Sequence, residues 1–222
     1  DTAAAINAAV EKSGIVSAVG YNWRSAAITP LARERMAGKE VSAAFAYWIG
    51  SFPGAMWWRQ QAQSAGQMNE QATHAIDIAR HLIGGKAVSV YAQGAKGIGA
   101  KKWERHDICD HIIATITFAN GAVLCAGTGH LAPGRFRIGV DFLLDELAIS
   151  HNNDELIVKT PGCEEKIANA NKPYEEEDRA FLNAVRSGDK QAVYCTYADA
   201  FETHRITMAI NDSVASGQVV SL

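Results

Sequence analysis

Glu70, His74 and Asp77 are the residues whose types and spacing could move a proton. Glu70 and His74 lie four apart, His74 and Asp77 three apart, and on a helix such side chains share one face. A carboxylate beside an imidazole can exchange protons near neutral pH, where the imidazole titrates. The same grouping also serves as a solvated helix face, so its neighbours must decide. Upstream runs Trp57-Trp58-Arg59-Gln60-Gln61-Ala62-Gln63-Ser64. A polyhydroxylated substrate suits that mixture, since sugar rings stack on indoles and their hydroxyls bond to amides and guanidinium groups. Trp57, Trp58, Arg59 and Gln63 are therefore candidate substrate contacts.

The elements that must position these groups follow from periodicity. Ala72, Ala75, Ile76, Ala79, Leu82 and Ile83 recur at spacings of three and four, which predicts one amphipathic helix between Gly66 and Gly84-Gly85. Before it, Asp1-Thr2 can cap a helix over residues 3–12, and residues 15–21 read as a buried strand. A helix holding Pro30 in its first turn runs to Gly38, residues 41–49 form a strand, and Pro53-Gly54 marks a turn. Beyond the central helix, residues 87–92 alternate as a strand. Residues 111–118 and 122–127 flank Asn120-Gly121, a strong hairpin signal. Further strands fall at 135–143, 146–150 and 155–159, and helices at 175–185 and 197–215. The last has an apolar face of Ala198, Phe201, His204, Ile206, Met208, Ala209, Ile210 and Val214. The expected class is α+β: a large, mostly antiparallel open sheet with helices on one face. Its other face, rich in apolar side chains, predicts a homo-oligomer through the open sheet.

The segment from Ala65 to Asp77 resembles the central motif of the glucose–fructose oxidoreductase/inositol dehydrogenase (Gfo/Idh/MocA) family. That motif runs Gly-Gly-x-Leu-x-Asp-x-Gly-x-His-x-x-Asp. His74 falls on its catalytic histidine, Glu70 stands where most members have Asp, and Ala65 and Ala72 replace glycines. Val19-Gly20-Tyr21-Asn22-Trp23-Arg24 is similar to the family's strand and loop before the C-terminal domain. The resemblance implies NAD(P)-dependent oxidation of a sugar or cyclitol hydroxyl. His74 would transfer the proton and Glu70 hold a substrate hydroxyl. Tyr21 and Asn22 would line the cofactor side, and Arg24 and Asp77 the substrate side. A neighbouring carboxylate is expected to raise the His74 pKa. The resemblance also implies that residues 1–24 are the remnant of a dinucleotide-binding domain of Rossmann type, and 25–222 a substrate-binding and dimerisation domain. The glycine fingerprint and the family's Glu-Lys-Pro lysine would then lie before Asp1. The alternative is a sugar-binding or oligomerisation module that works without cofactor.

Other patterns exclude more than they propose. Gly94 to Lys102 lacks the lysine placement of a P-loop and the following helix of a dinucleotide fingerprint, so it reads as a loop between strands. A net charge of −3 argues against a nucleic-acid footprint. No apolar run approaches the roughly 20 residues that span a bilayer. Cys109, Cys125, Cys163 and Cys195 form no C-x-x-C pair, which favours a reduced, cytoplasmic setting. Glu70, His74 and His81 lack the spacing of a zinc helix, so no metal is expected there. His106 and His111 read as flanking a strand start, His130 as a solvated loop residue, and His151 and His204 as structural.

Overall fold

The computed structural model describes residues 2–52 and 54–222; the Asp1 cap and the Pro53 half of the expected turn lie outside them. Its helices are α1 (Thr2–Ser13), α2 (Ile28–Met36), α3 (Gln61–Ser64), α4 (Gln67–Glu70), α5 (Ala72–Ile83), α6 (Ile98–Lys102), α7 (Pro173–Ser187) and α8 (Tyr197–Ser216). Its strands are β1 (Val41–Ser51), β2 (Ala87–Ala95), β3 (His111–Phe118), β4 (Val123–Gly129), β5 (Leu131–Leu144), β6 (Leu147–His151), β7 (Glu155–Thr160), β8 (Cys163–Ala168) and β9 (Val220–Ser221). They make one sheet in the order β8-β7-β6-β5-β1-β4-β3-β2-β9. Every pairing is antiparallel except β1 with β4. The expected fold class therefore holds.

One face of the sheet is buried under α2, α5 and α8. A row of alanines crosses its centre: Ala92 pairs with Ala114, Ala114 with Ala126, and Ala126 with Ala46. All four are buried, and α5 lays Ala72, Ala75 and Ala79 over the same core. Small side chains on both sides let the helix lie close to the sheet without a void. Larger residues fill the flanks, with Ile116, Phe118, Leu124, Phe142 and Ile149 fully buried. The opposite face carries Phe45, Tyr47, Ile113, Val123 and Leu143, and Ile113 is 65% exposed.

Three expectations are corrected. Residues 15–21 form no strand: no neighbouring strand pairs with them, Ile15 is exposed, and the segment is tied down by Val19 N–H donating to Cys195 O. The single helix expected from Gly66 is broken into α4 and α5, because Gln71 departs from helical geometry at φ −120°. Gly94 to Lys102 is not a loop throughout: Gly94 and Ala95 end β2, and Ile98–Lys102 is a helical turn. The buried side of α8 also differs, because Thr203, Thr207 and Ser213 are buried while Ala198 is exposed. Each of those hydroxyls has a hydrogen-bond partner, so burial costs it little.

Candidate active site

Tyr21, Asn22 and Arg24 approach α5 from a buried 3-10 turn over Asn22–Ser25. Arg24 fixes that approach. Its Nε donates to Asp77 Oδ2 at 2.7 Å and its Nη2 to Oδ1 at 2.6 Å, a two-pronged contact with both side chains almost wholly buried. Asp77 Oδ1 also accepts from Thr203 Oγ1 at 2.8 Å. Asp199, at the start of α8, accepts from Arg24 Nη1 and from Arg80 Nη2. Two arginines and two aspartates thus join the turn, α5 and α8. Asp77 and Arg24 spend their polar atoms on each other and on α8, so they position the site rather than face a substrate.

The turn brings Tyr21 to His74. The two rings meet edge to face at 5.7 Å, and Tyr21 Oη shares a 2.7 Å hydrogen bond with Thr73 Oγ1. On the other side Trp48 of β1 lies 5.8 Å from the His74 ring and stacks in turn on Trp23 at 6.0 Å. Burial in this aromatic clamp lowers the His74 pKa, and the nearby Asp77 charge only partly offsets it. The expected rise is therefore corrected: desolvation outweighs the carboxylate, whose charge Arg24 already absorbs. At pH 7 His74 is a neutral imidazole. Glu70 ends α4, half-buried and separated from His74 by the break at Gln71, and burial raises its pKa.

Among the described residues, seven buried side-chain nitrogen or oxygen atoms have no hydrogen-bond partner. Four belong to candidate site residues: Asn22 Nδ2, Trp58 Nε1, Arg59 Nε and His74 Nδ1. Buried polar groups are normally paired, so each of these four atoms is an exception that calls for a partner outside the chain's own hydrogen bonds. Trp57 and Trp58 stack on each other at 5.4 Å, Trp57 is exposed, and Arg59 lies over the Phe52 ring. Gln63 is exposed on α3. This strip is anchored to the segment before β3, where Asp107 N–H donates to Arg59 O and Asp107 Oδ1 accepts from Gln61 N–H.

The other histidines are distinct. His81 contacts Arg33 at 2.5 Å, and burial followed by the arginine charges pushes its pKa down to about 3. His130 is buried rather than solvated and meets His106 and Asp110, which lie four apart in sequence and 20 or more residues before it. No single helix or strand carries that trio, so spacing alone could not reveal it.

Residues 36–144 match the family model described as GFO/IDH/MocA C-terminal domain. The chain is 29% identical over 171 residues to the uncharacterized oxidoreductase YrbE of Bacillus subtilis (strain 168), a match covering 72% of this chain and 49% of that protein. The chain thus spans about half the length of that relative. Among solved structures, levoglucosan dehydrogenase in complex with NADH and levoglucosan superposes with a TM-score of 0.81 at 24% identity, over 99% of this chain and 69% of that one. Aldose-aldose oxidoreductase from Caulobacter crescentus, complexed with glycerol, gives 0.84 at 17% identity, over 99% and 68%. At those identities the likeness establishes the fold. The stretch that holds β1, α5 and the strands up to β5 thus matches the GFO/IDH/MocA C-terminal domain, and the chain shares its fold with those two oxidoreductases.

Proposed function

We propose that this chain is the substrate-binding and catalytic half of an NAD(P)-dependent dehydrogenase that oxidises a sugar or cyclitol hydroxyl. The observation that carries the reading is the clamped His74 with its unpartnered buried Nδ1; Asn22, Trp58 and Arg59 also have buried N–H groups without partners. Three of these are donors, and a polyol offers many oxygen acceptors. NADH-bound relatives of the same fold support the cofactor class, and complexes with levoglucosan and with glycerol support the substrate class.

Asn22 fits the nicotinamide end of such a cofactor, since its buried amide nitrogen has no protein acceptor. The phosphates have no seat at Gly94–Lys102, because Asp110 already takes the first free N–H groups of α6, from Ile98 and Gly99. When bound, the nicotinamide supplies the hydride acceptor. His74, neutral at pH 7, accepts the hydroxyl proton as hydride leaves the same carbon. Glu70 holds a neighbouring hydroxyl. Tyr21 and Trp48 keep the imidazole from turning and exclude water around it. Residues 1–24 serve as the join to a dinucleotide-binding domain, and the apolar open face of the sheet takes a second copy of the chain.

The test is a screen of sugar and polyol oxidation with NAD and NADP in the intact protein. His74→Ala is expected to lower kcat about 10²- to 10⁴-fold, the usual worth of a positioned general base, with an unchanged unfolding midpoint. Turnover equal to wild type would remove His74 from the mechanism.

A further inference from the structure

Outside the active site, the fold buries a second set of ligating groups. His106, Asp110 and His130 come from the segment before β3 and from the residue joining β4 to β5. All three are more than nine-tenths buried. His106 Nε2 and His130 Nε2 are 2.9 Å apart, and they lie 3.8 and 3.7 Å from Asp110 Oδ1. A triangle with those sides has its centre about 2.0 Å from each corner, the length of a zinc–nitrogen or zinc–carboxylate bond.

We propose that His106, Asp110 and His130 form a binding site for a divalent transition metal, with zinc the chemical type that fits two imidazoles and one carboxylate. Water completes the coordination.

The surroundings match what a metal ligand needs. A ligating imidazole usually hands its other N–H to an acceptor that fixes its tautomer. His130 Nδ1 lies 3.2 Å from Gln67 Oε1, and Gln67 is itself held, its Nε2 donating to Gln71 Oε1 and Gly129 O. Asp110 is aimed by two backbone donors, Ile98 N–H and Gly99 N–H, each at 2.8 Å. Gly99 leaves the room: a Cβ there would lie 2.5 Å from His106 Nε2 and 2.6 Å from Asp110 Oδ1. The aromatic rings of Phe52 and Trp103 close the outside, at 4.8 Å from the His130 ring and 5.7 Å from the His106 ring. The site shares Phe52 with the strip that carries Arg59, but the proposal does not rest on the dehydrogenase chemistry. It ties the β4–β5 junction and α6 to Gln67 on α4, three residues before Glu70.

The test is metal binding by the purified chain after stripping with a chelator. Calorimetric titration with zinc chloride is expected to show one site per chain at micromolar affinity or tighter. Cobalt(II) in its place is expected to show the visible absorption of a four-coordinate ion. His130→Ala and Asp110→Asn should each weaken zinc binding at least tenfold, with the circular dichroism retained. Gln67→Leu removes no ligand and guards against misfolding of those variants; it should weaken binding about 10- to 100-fold. Absence of binding up to millimolar zinc overturns the proposal. So does one-to-one binding whose affinity none of the three substitutions changes.

Discussion

His151 shows how a single residue couples burial to pH. It is fully buried, stacked on Trp23 at 5.8 Å, and its pKa is pushed down to about 4 by desolvation. Its hydrogen bonds select the neutral ring. Thr29 Oγ1 donates to Trp23 O, so it accepts from His151 Nε2 at 2.9 Å, while Nδ1 accepts from Asn153 N–H at 3.3 Å. An unfolded histidine titrates near 6.5, so between pH 6.5 and 4 the unfolded chain binds the extra proton. Stability from this group is complete above pH 6.5 and is lost as pH falls toward 4, at up to about 1.4 kcal/mol per pH unit. Urea unfolding at pH 7, 6 and 5 should show that slope, and His151→Gln should reduce it. Equal slopes in the two proteins would place the acid sensitivity elsewhere, with His130 the next candidate.

At the scale of elements, α5 is where the sequence was most legible. Its apolar spacing and closing glycine are local properties, and Ala72 to Ile83 came out helical with the expected face inward. The start was less legible. Gln71 breaks the ladder at φ −120°, and Ala65 adopts φ 54°, left-handed backbone that glycine takes more readily. The motif glycine at that position is thus a conformational matter rather than a chemical one. The hydrogen-bond partners of Asp77 were not legible, because Arg24 lies 53 residues before it and Thr203 126 residues after it. Removing one member of a buried ion pair leaves the other charged and unpaired. Asp77→Ala is expected to cost about 3–5 kcal/mol in urea unfolding, and adding Arg24→Met should recover part of that loss. A cost below 1 kcal/mol would show that solvent reaches the network. Gly99→Ala, which forces a Cβ against His106 and Asp110, should cost about 1–3 kcal/mol as overpacking.

For the whole molecule, the open face of the sheet sets the question of assembly. Around β1, β3 and β4 it is apolar, with Phe45, Ile113 and Val123, whereas β7 and β8 carry the Lys159–Glu164 and Lys166–Glu164 pairs. If a second copy covers the apolar part, Ile113→Asp should shift the sedimentation coefficient from dimer to monomer while far-ultraviolet circular dichroism stays the same. An unchanged coefficient would move the interface elsewhere. The sheet order also reaches beyond assembly. β1, at the middle of the sheet, pairs with β4 and β5 rather than with its neighbours in sequence, and Ala44 meets Leu124, 80 positions further along the chain. The hairpins β3–β4 and β5–β6 can close locally, but β1 completes its pairing only when β4 and β5 lie on either side of it. A chain that must close so long a loop before its central strand is rewarded folds slowly, on the order of milliseconds to seconds. Truncating Ala46 or Phe45 to glycine would then slow refolding, whereas changes in the β7–β8 hairpin would chiefly speed unfolding. The strand that sets Trp48 beside His74 thus also joins the two hairpins into one sheet.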